Sequence, residues 1–79
     1  MAWYKYAAYV QQFNSDAFDK LYTPGSVPDH SGIFRCTGCG REVVGEHTRS
    51  LPPQNHHQHT VAQGDIRWKL TVWPNHNPQ

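Results

Sequence analysis

Two cysteines and a nearby cluster of histidines constrain this chain more than any other feature. Cys36 and Cys39 lie in the string C-T-G-C-G, and the later string N-H-H-Q-H supplies His56, His57 and His59. Metal sites that begin with a Cys-x-x-Cys pair place their second ligand turn roughly 15–20 residues further along, and the two turns here have that separation. The sequence therefore predicts a tetrahedral metal site built from one cysteine pair and two histidines.

The second pair of ligands has to come from the histidine cluster, because the chain contains no further cysteine. His56 and His59 copy the spacing of the cysteine pair, and this gap gives the chain enough backbone to reverse direction around one ion. His57 and His59 are also compatible, since side chains two residues apart in extended backbone lie on the same face. We expect one Zn²⁺ ion, with these ligands: Cys36, Cys39, His56 and His59, with His57 as the alternative ligand.

The donor set favours zinc in a structural role. Two thiolates and two neutral imidazoles form an established structural zinc set, whereas a rubredoxin-type iron site would need four thiolates. Four protein ligands leave no position for water or substrate, so we expect no catalytic residues and no enzyme activity. A metal-dependent hydrolase is the alternative if only three residues bind; its general base would be Glu42, Glu46 or Asp65, none of which has an identifying spacing. A CxxC redox enzyme is a further alternative, although Gly38 and Gly40 disfavour the helix N-terminus that such dithiols use.

The composition agrees with a small domain that a metal ion stabilises. In 79 residues, 37% of them hydrophobic, a core alone gives marginal stability. The three Trp, four Tyr and three Phe are expected in that core rather than on a surface that stacks bases. The net charge is +1 and the basic residues form no stripe, so a nucleic-acid-binding function is kept only as an alternative.

The sequence also bears on the compartment. No apolar run approaches the ~20 residues of a membrane span, so no membrane association is expected. The N-terminal region lacks the uniform apolar stretch and small-residue cleavage site of a signal peptide. Reduced thiols beside histidines are typical of the cytoplasm, which is the predicted location.

Three strands are predicted around the cysteine turn. Residues 32–35 and 41–44 are β-prone runs on either side of the turn, which indicates a hairpin. Residues 66–73 alternate apolar and polar side chains and predict the third strand. Its apolar face would consist of Ile66, Trp68, Leu70 and Val72.

The first 22 residues form an aromatic leader for which a helix is predicted. Apolar side chains recur there at spacings of three and four, at Trp3, Tyr6, Val10 and Phe13. Ser15 is expected to cap a short turn that follows and carries Phe18, Leu21 and Tyr22. We expect one structural domain in all, which consists of the N-terminal segment 1–22, a ribbon-like region 23–73 and a flexible tail 74–79.

The chain from Gly32 onward resembles a bacterial zinc ribbon. It reads G-I-F-R-C-T-G-C-G, then L-P-P, a second ligand turn and an alternating W-K-L-T-V strand, and the resemblance covers about residues 23–72. It also resembles small bacterial proteins that carry an L-P-P-Q-N-H-H-Q-H segment. In many such ribbons L-P-P precedes a C-P-x-C knuckle; aligning the L-P-P strings places Gln54 and His57 at its two cysteines. Gln54 is no zinc ligand, and a slide of two residues gives His56 and His59 the required spacing.

The resemblance implies a fold and a class of function. The fold expected is a small β-rich, metal-bound domain: a zinc ribbon-like antiparallel three-stranded sheet with the N-terminal segment packed on it. Zinc ribbons serve as interaction or nucleic-acid-binding modules, and a shared fold does not by itself assign a function. The resemblance therefore implies a structural zinc-binding module whose protein partner is unknown.

Overall fold

The computed structural model describes residues 1–76, and its main element is a four-stranded antiparallel sheet. The strands are β1 (Leu21–Tyr22), β2 (Gly32–Cys36), β3 (Glu42–Gly45) and β4 (Trp68–Val72). Their order in the sheet is β1-β4-β2-β3. Strands β2 and β3 form the hairpin predicted around the cysteine turn, with Phe34 opposite Val43. The last strand in sequence thus lies in the middle of the sheet, next to the strand that ends at Cys36.

The core of the protein lies on one face of this sheet. Its buried hydrophobic residues are Tyr22, Phe34, Cys36, Leu51, Ile66, Trp68 and Leu70. The alternation predicted for β4 holds for Trp68 and Leu70, which are 0% and 2% exposed. Val72 is more exposed than predicted, because it occupies the last position of the strand, beyond a bulge at Ile33 and Phe34.

The sheet has four strands where three were predicted. The additional strand is β1, whose two residues pair with β4. A run of two residues is too short for the alternation that marks a strand in sequence, so Leu21 and Tyr22 were expected in a turn. The pairing is stabilised by burial of Tyr22, whose ring packs edge-on against Phe34 with the ring centroids 5.7 Å apart.

Residues 1–14 of the leader are exposed and mostly irregular, in contrast to the packed helix predicted for them. Within residues 1–14 the helical structure consists of one 3₁₀ turn, Ala7–Tyr9, with no buried residue. Trp3 is 98% exposed, and Phe13 reaches the domain through Trp73, with ring centroids 6.3 Å apart. A helix of this length is unstable in water unless one face is packed, and residues 1–14 bury no side chain against the sheet.

The chain on either side of the sheet is short and mostly irregular. Ser15 caps a 3₁₀ turn as predicted, and its hydroxyl accepts a hydrogen bond from the Ala17 N–H at 3.2 Å. Residues 74–76 are exposed, and the rest of the predicted tail, residues 77–79, lies outside the described residues. None of the helices in residues 1–76 is long and apolar enough to cross a membrane.

Candidate metal centre

The cysteine turn is shaped by backbone hydrogen bonds and by glycine. Cys36 ends β2, and its N–H donates to the carbonyl of Arg41 at 2.7 Å. Gly40 donates to the Cys36 carbonyl at 2.8 Å and has a φ of 82°, a conformation that L side chains rarely adopt. The chain therefore reverses within four residues, and both thiols stay at one end of the sheet. Both cysteines are free; Cys36 is buried and Cys39 is exposed.

The second ligand turn is anchored by the L-P-P segment that precedes it. The Leu51 side chain is 2% exposed, and its N–H donates to the Ser26 carbonyl at 2.8 Å. The Pro52 carbonyl in turn accepts from the Gly25 N–H at 3.1 Å. From this anchor the chain passes through a 3₁₀ turn, Gln54–His56, and returns to the sheet. The histidines are thereby carried over the cysteine turn.

Four potential ligand atoms converge where the two turns meet. Cys36 Sγ lies 3.3 Å from His59 Nε2, and Cys39 Sγ lies 3.3 Å from His57 Nε2. The two Nε2 atoms are 3.0 Å apart, and all four ligand atoms lie within 4.8 Å of one another. Zinc bonds of about 2.3 Å to sulfur and about 2.0 Å to nitrogen, at tetrahedral angles, separate ligand atoms by roughly 3.3–3.8 Å. The observed separations are close to those values, so the Cys₂His₂ group could hold a metal ion.

A backbone carbonyl determines which nitrogen of His59 faces the centre. His59 Nδ1 lies 2.8 Å from the carbonyl oxygen of Gly64. A carbonyl only accepts hydrogen bonds, so Nδ1 carries the proton and Nε2 keeps the lone pair that a metal needs. The turn between them is tied by a capping box in which the Thr60 N–H donates to the Gln63 side chain at 2.8 Å.

The surroundings favour the metal-binding protonation states of two ligands. Burial of Cys36 raises the pKa of its thiol, but backbone N–H groups of Gly38, Cys39 and Arg67 that point at the sulfur outweigh burial. The pKa therefore lies below the ordinary value of 9.0. For His57, partial burial lowers the pKa below 6.5, and the nearby positive charges of His59 and Arg41 lower it further. Thiolate and neutral imidazole are the forms that bind zinc.

Trp68 forms the floor of the centre. It is fully buried, and in the sheet it lies opposite Cys36. Its ring meets those of His56 and His57 edge-on, at centroid distances of 5.9 and 5.7 Å. The indole Nε1 has no hydrogen-bond partner among the described residues, so the indole acts here as an apolar surface on which the histidine rings rest.

The structure places the predicted site residues in two groups. Cys36, Cys39 and His59 are brought together with His57, the residue predicted as the alternative ligand. His56, which was ranked above it, directs its Nδ1 at His57 Nδ1, 2.9 Å away, and stands outside the group of four. Which two histidines bind metal stays a prediction. The spacing of the histidines along the sequence did not favour His57. The direction of each ring depends instead on the 3₁₀ turn that ends at His56, which spacing does not reveal.

The acidic residues considered as a general base lie in different places. Glu42 pairs with the terminal amino group of Met1 at 2.9 Å, and Glu46 lies 3.4 Å from Arg49. Asp65 borders a surface cleft that His57 and His59 also line, and its carboxylate lies 3.7 Å from the Arg67 guanidinium. Of these three candidates, Asp65 is the one that shares this cleft with two histidines of the centre.

A relative of this chain is Protein L of Escherichia coli. The two are 44% identical over 68 residues, which cover 84% of this chain and 77% of that protein. No family model matches the chain, and no solved structure matches it. The name of the relative states no activity, so the chemistry of the centre has to carry the functional argument.

Proposed function

The chain belongs to the same family as Protein L of Escherichia coli, and we propose that it is a structural zinc-binding protein rather than an enzyme. In this proposal one Zn²⁺ ion is held by the cysteine thiolates and by Nε2 of His57 and His59. One observation carries it: two sulfur and two nitrogen atoms from separate loops converge within 4.8 Å. Two thiolates with two imidazoles form an established structural set and leave no coordination position for a substrate.

The loop that carries the histidines supports a structural role for the ion. No residue from 53 to 65 is buried, and Val61 is fully exposed. Hydrophobic packing therefore does little to hold this loop against the sheet. Zinc binding to such a ligand set is worth roughly 10–16 kcal/mol near neutral pH, which matches or exceeds the ~5–15 kcal/mol stability of an ordinary domain. The ion would thus join the loop to the cysteine turn and stabilise both.

We further propose that the ordered domain is a cytoplasmic interaction module with a protein partner. The leader supports this, because Trp3, Tyr9 and Phe13 are 98%, 85% and 63% exposed. Exposed apolar side chains concentrated on one segment are typical of interaction sites. Lys5 is the one basic residue among the first 19, and too few cations lie there to follow a phosphate backbone. A reducing compartment would keep both thiols available to zinc.

One observation favours a second candidate, a metal-dependent hydrolase. Asp65 borders the same cleft as His57 and His59. In a hydrolase a general base would have to lie there, next to a metal-bound water. The two candidates differ in the number of protein ligands. X-ray absorption spectroscopy of the zinc-loaded protein should find two sulfur neighbours and outer-shell scattering from two imidazole rings if the centre is structural. Three protein ligands, with one ring or one sulfur fewer and a water oxygen in its place, would support the hydrolase.

Metal analysis and chelation test the main proposal. Protein reconstituted with zinc under reducing conditions should retain one equivalent after dialysis. Because the ion joins the loop to the sheet, EDTA should collapse the amide NMR dispersion of the histidine loop and of β2 and β4. Cys39→Ser and His59→Ala should show reduced zinc content.

A matched variant controls for the loss of any histidine. His47 is exposed and lies outside the group of four, so His47→Ala should bind zinc as the parent does. A parent chain that retains no zinc, or that keeps its full NMR dispersion after complete removal of zinc, would contradict the proposal. So would His59→Ala with the zinc content of the parent.

A further inference from the structure

We propose that His56 is a positioning residue: it is the hydrogen-bond acceptor that holds His57 in the orientation and tautomer needed for metal binding. This inference rests on the proposed zinc centre and adds a residue that ligation by itself does not require. It begins from a contact that the centre leaves unexplained, in which His56 Nδ1 lies 2.9 Å from His57 Nδ1.

The chemistry of the two rings gives this contact a direction. His57 Nε2 faces Cys39 Sγ at 3.3 Å and His59 Nε2 at 3.0 Å, so Nε2 is its ligand atom. A neutral imidazole carries one N–H, and a metal on Nε2 leaves that proton on Nδ1. His57 Nδ1 must then donate, and His56 Nδ1 must accept. His56 in turn must carry its own proton on Nε2.

The two ligand histidines are therefore supported in different ways. His59 Nδ1 donates to a backbone carbonyl, that of Gly64, at 2.8 Å. The partner that the structure gives to His57 Nδ1 is the side chain of His56. Metal-binding histidines almost always donate their second N–H to a carboxylate, a backbone carbonyl or a water that fixes the ring, and here a ring nitrogen takes that place. A substitution can remove the support of His57, whereas the support of His59 belongs to the main chain.

His56 is held well enough to serve as this support although it is exposed. It closes the 3₁₀ turn Gln54–His56, where its N–H donates to the Pro53 carbonyl at 2.9 Å. Its ring stands nearly perpendicular to that of His57, at 85°, and rests edge-on against the buried indole of Trp68. The two adjacent rings thus share one rigid floor, which keeps their Nδ1 atoms facing each other.

Substitutions at position 56 can separate the acceptor atom from the ring. In His56→Asn the amide oxygen is bonded to Cγ, as Nδ1 is in histidine, so it can accept from the same place. In His56→Gln the oxygen lies one bond further out, and in His56→Ala no acceptor remains. All three variants lose the ring that touches Trp68. A difference among them therefore reports the hydrogen bond and not the packing.

Zinc affinity measured by competition with a chromophoric chelator tests the proposal. His56→Ala should bind one zinc about 10–100-fold more weakly than the parent. His56→Asn should recover most of this loss, and His56→Gln should resemble His56→Ala. His47→Ala controls for the removal of an exposed histidine and should match the parent. In ¹⁵N NMR of the zinc-loaded parent, His57 should be protonated on Nδ1 and His56 on Nε2.

The outcomes separate this inference from the proposed function. If the parent protein binds no zinc, both the positioning role of His56 and the proposed function are contradicted. If the parent binds zinc, then equal affinity in His56→Ala, no recovery in His56→Asn, or a proton on His56 Nδ1 in the loaded protein would overturn the positioning role alone. Loss of zinc in His56→Ala and His56→Asn, with full binding in His57→Ala, would make His56 a ligand and would likewise overturn it.

Discussion

At the scale of single residues, the centre depends on a glycine, Gly38, because a side chain at this position would have no space. A Cβ at Gly38 would lie 2.5 Å from the Gln63 carbonyl oxygen and 2.8 Å from His59 Cε1. The hydrogen on Gly38 is what allows the histidine loop to approach the cysteine turn. The role of this glycine is close packing between two loops, a requirement separate from the positive φ of Gly40.

We expect Gly38→Ala to weaken zinc binding. The added methyl group has to displace the His59 ring or the backbone at Gln63, and either shift moves Nε2 away from the centre. Affinity should fall about tenfold or more, as when the support of a metal ligand is lost. His47→Ala is a suitable control, because His47 is exposed and lies outside the group of four ligand residues. It should leave zinc affinity unchanged, whereas parent-like affinity in Gly38→Ala would refute the packing argument.

At the scale of elements, the leader and the strands obey different constraints. Strand β4 lies between β1 and β2, and its alternate side chains enter the core. Residues 1–14 have helical spacing but bury no side chain. Their contacts with the rest of the domain lie at the surface, and include the Met1–Glu42 ion pair and the Phe13–Trp73 ring contact. The apolar periodicity of a segment therefore predicts its helix or strand only where the apolar face has a surface to pack against.

Deletion of residues 1–12 should change the stability of the domain little. The deletion removes no buried side chain, and the ion pair it removes joins Glu42 to the amino group of Met1, whose side chain is 93% exposed. Such pairs contribute at most about 1 kcal/mol. Calorimetry should give a melting temperature close to that of the parent, with zinc content unchanged. Unfolding or loss of zinc in the shortened chain would mean that the leader is part of the domain core.

At the scale of the whole molecule, the metal centre connects parts of the chain that lie far apart in sequence. Cys36 comes from the end of β2, and His57 and His59 come from the loop that leads into β4. The two strands are neighbours in the sheet, and Cys36 lies opposite Trp68 in their register. A change at the centre is therefore transmitted directly to the two central strands.

Acid should release the metal and destabilise the whole domain. The folded state holds the pKa of His57 below 6.5, so the stability this group contributes is present above pH 6.5 and is lost as pH falls through its folded value. The lowered pKa of Cys36 acts in the same direction, because its thiolate is favoured until pH falls through its folded pKa. Bound zinc strengthens both effects, since protons and metal compete for the same atoms.

The measurement is a pH titration of zinc release, followed with a chromophoric indicator and with tryptophan fluorescence. Zinc should be retained near neutral pH and released on acidification, and the fluorescence change should coincide because Trp68 lies against the histidines. Full retention at pH of about 3, well below the ordinary histidine value, would contradict ligation by imidazole.

Much of the centre could be predicted from the amino-acid sequence by itself. The cysteine pair with its glycines, the histidine cluster, the hairpin and the alternating pattern of β4 are encoded by residues close together in the chain. Donor atoms and strand periodicity are local properties, so a Cys–His metal site beside a β-hairpin follows from residue type and spacing.

Only the tertiary structure decided which histidine rings face the cysteines, that β1 joins the sheet, and that residues 1–14 stay outside the core. These three features depend on contacts between distant segments. The direction of His56 and His57 follows from the 3₁₀ turn that the anchor at Leu51 positions, and the approach of His59 from the space left by Gly38. β1 is too short to show a pattern and forms because Tyr22 is buried beside β4. Residues 1–14 carry a helical pattern but bury no side chain, and packing, rather than pattern, supplies most of the free energy of a short element.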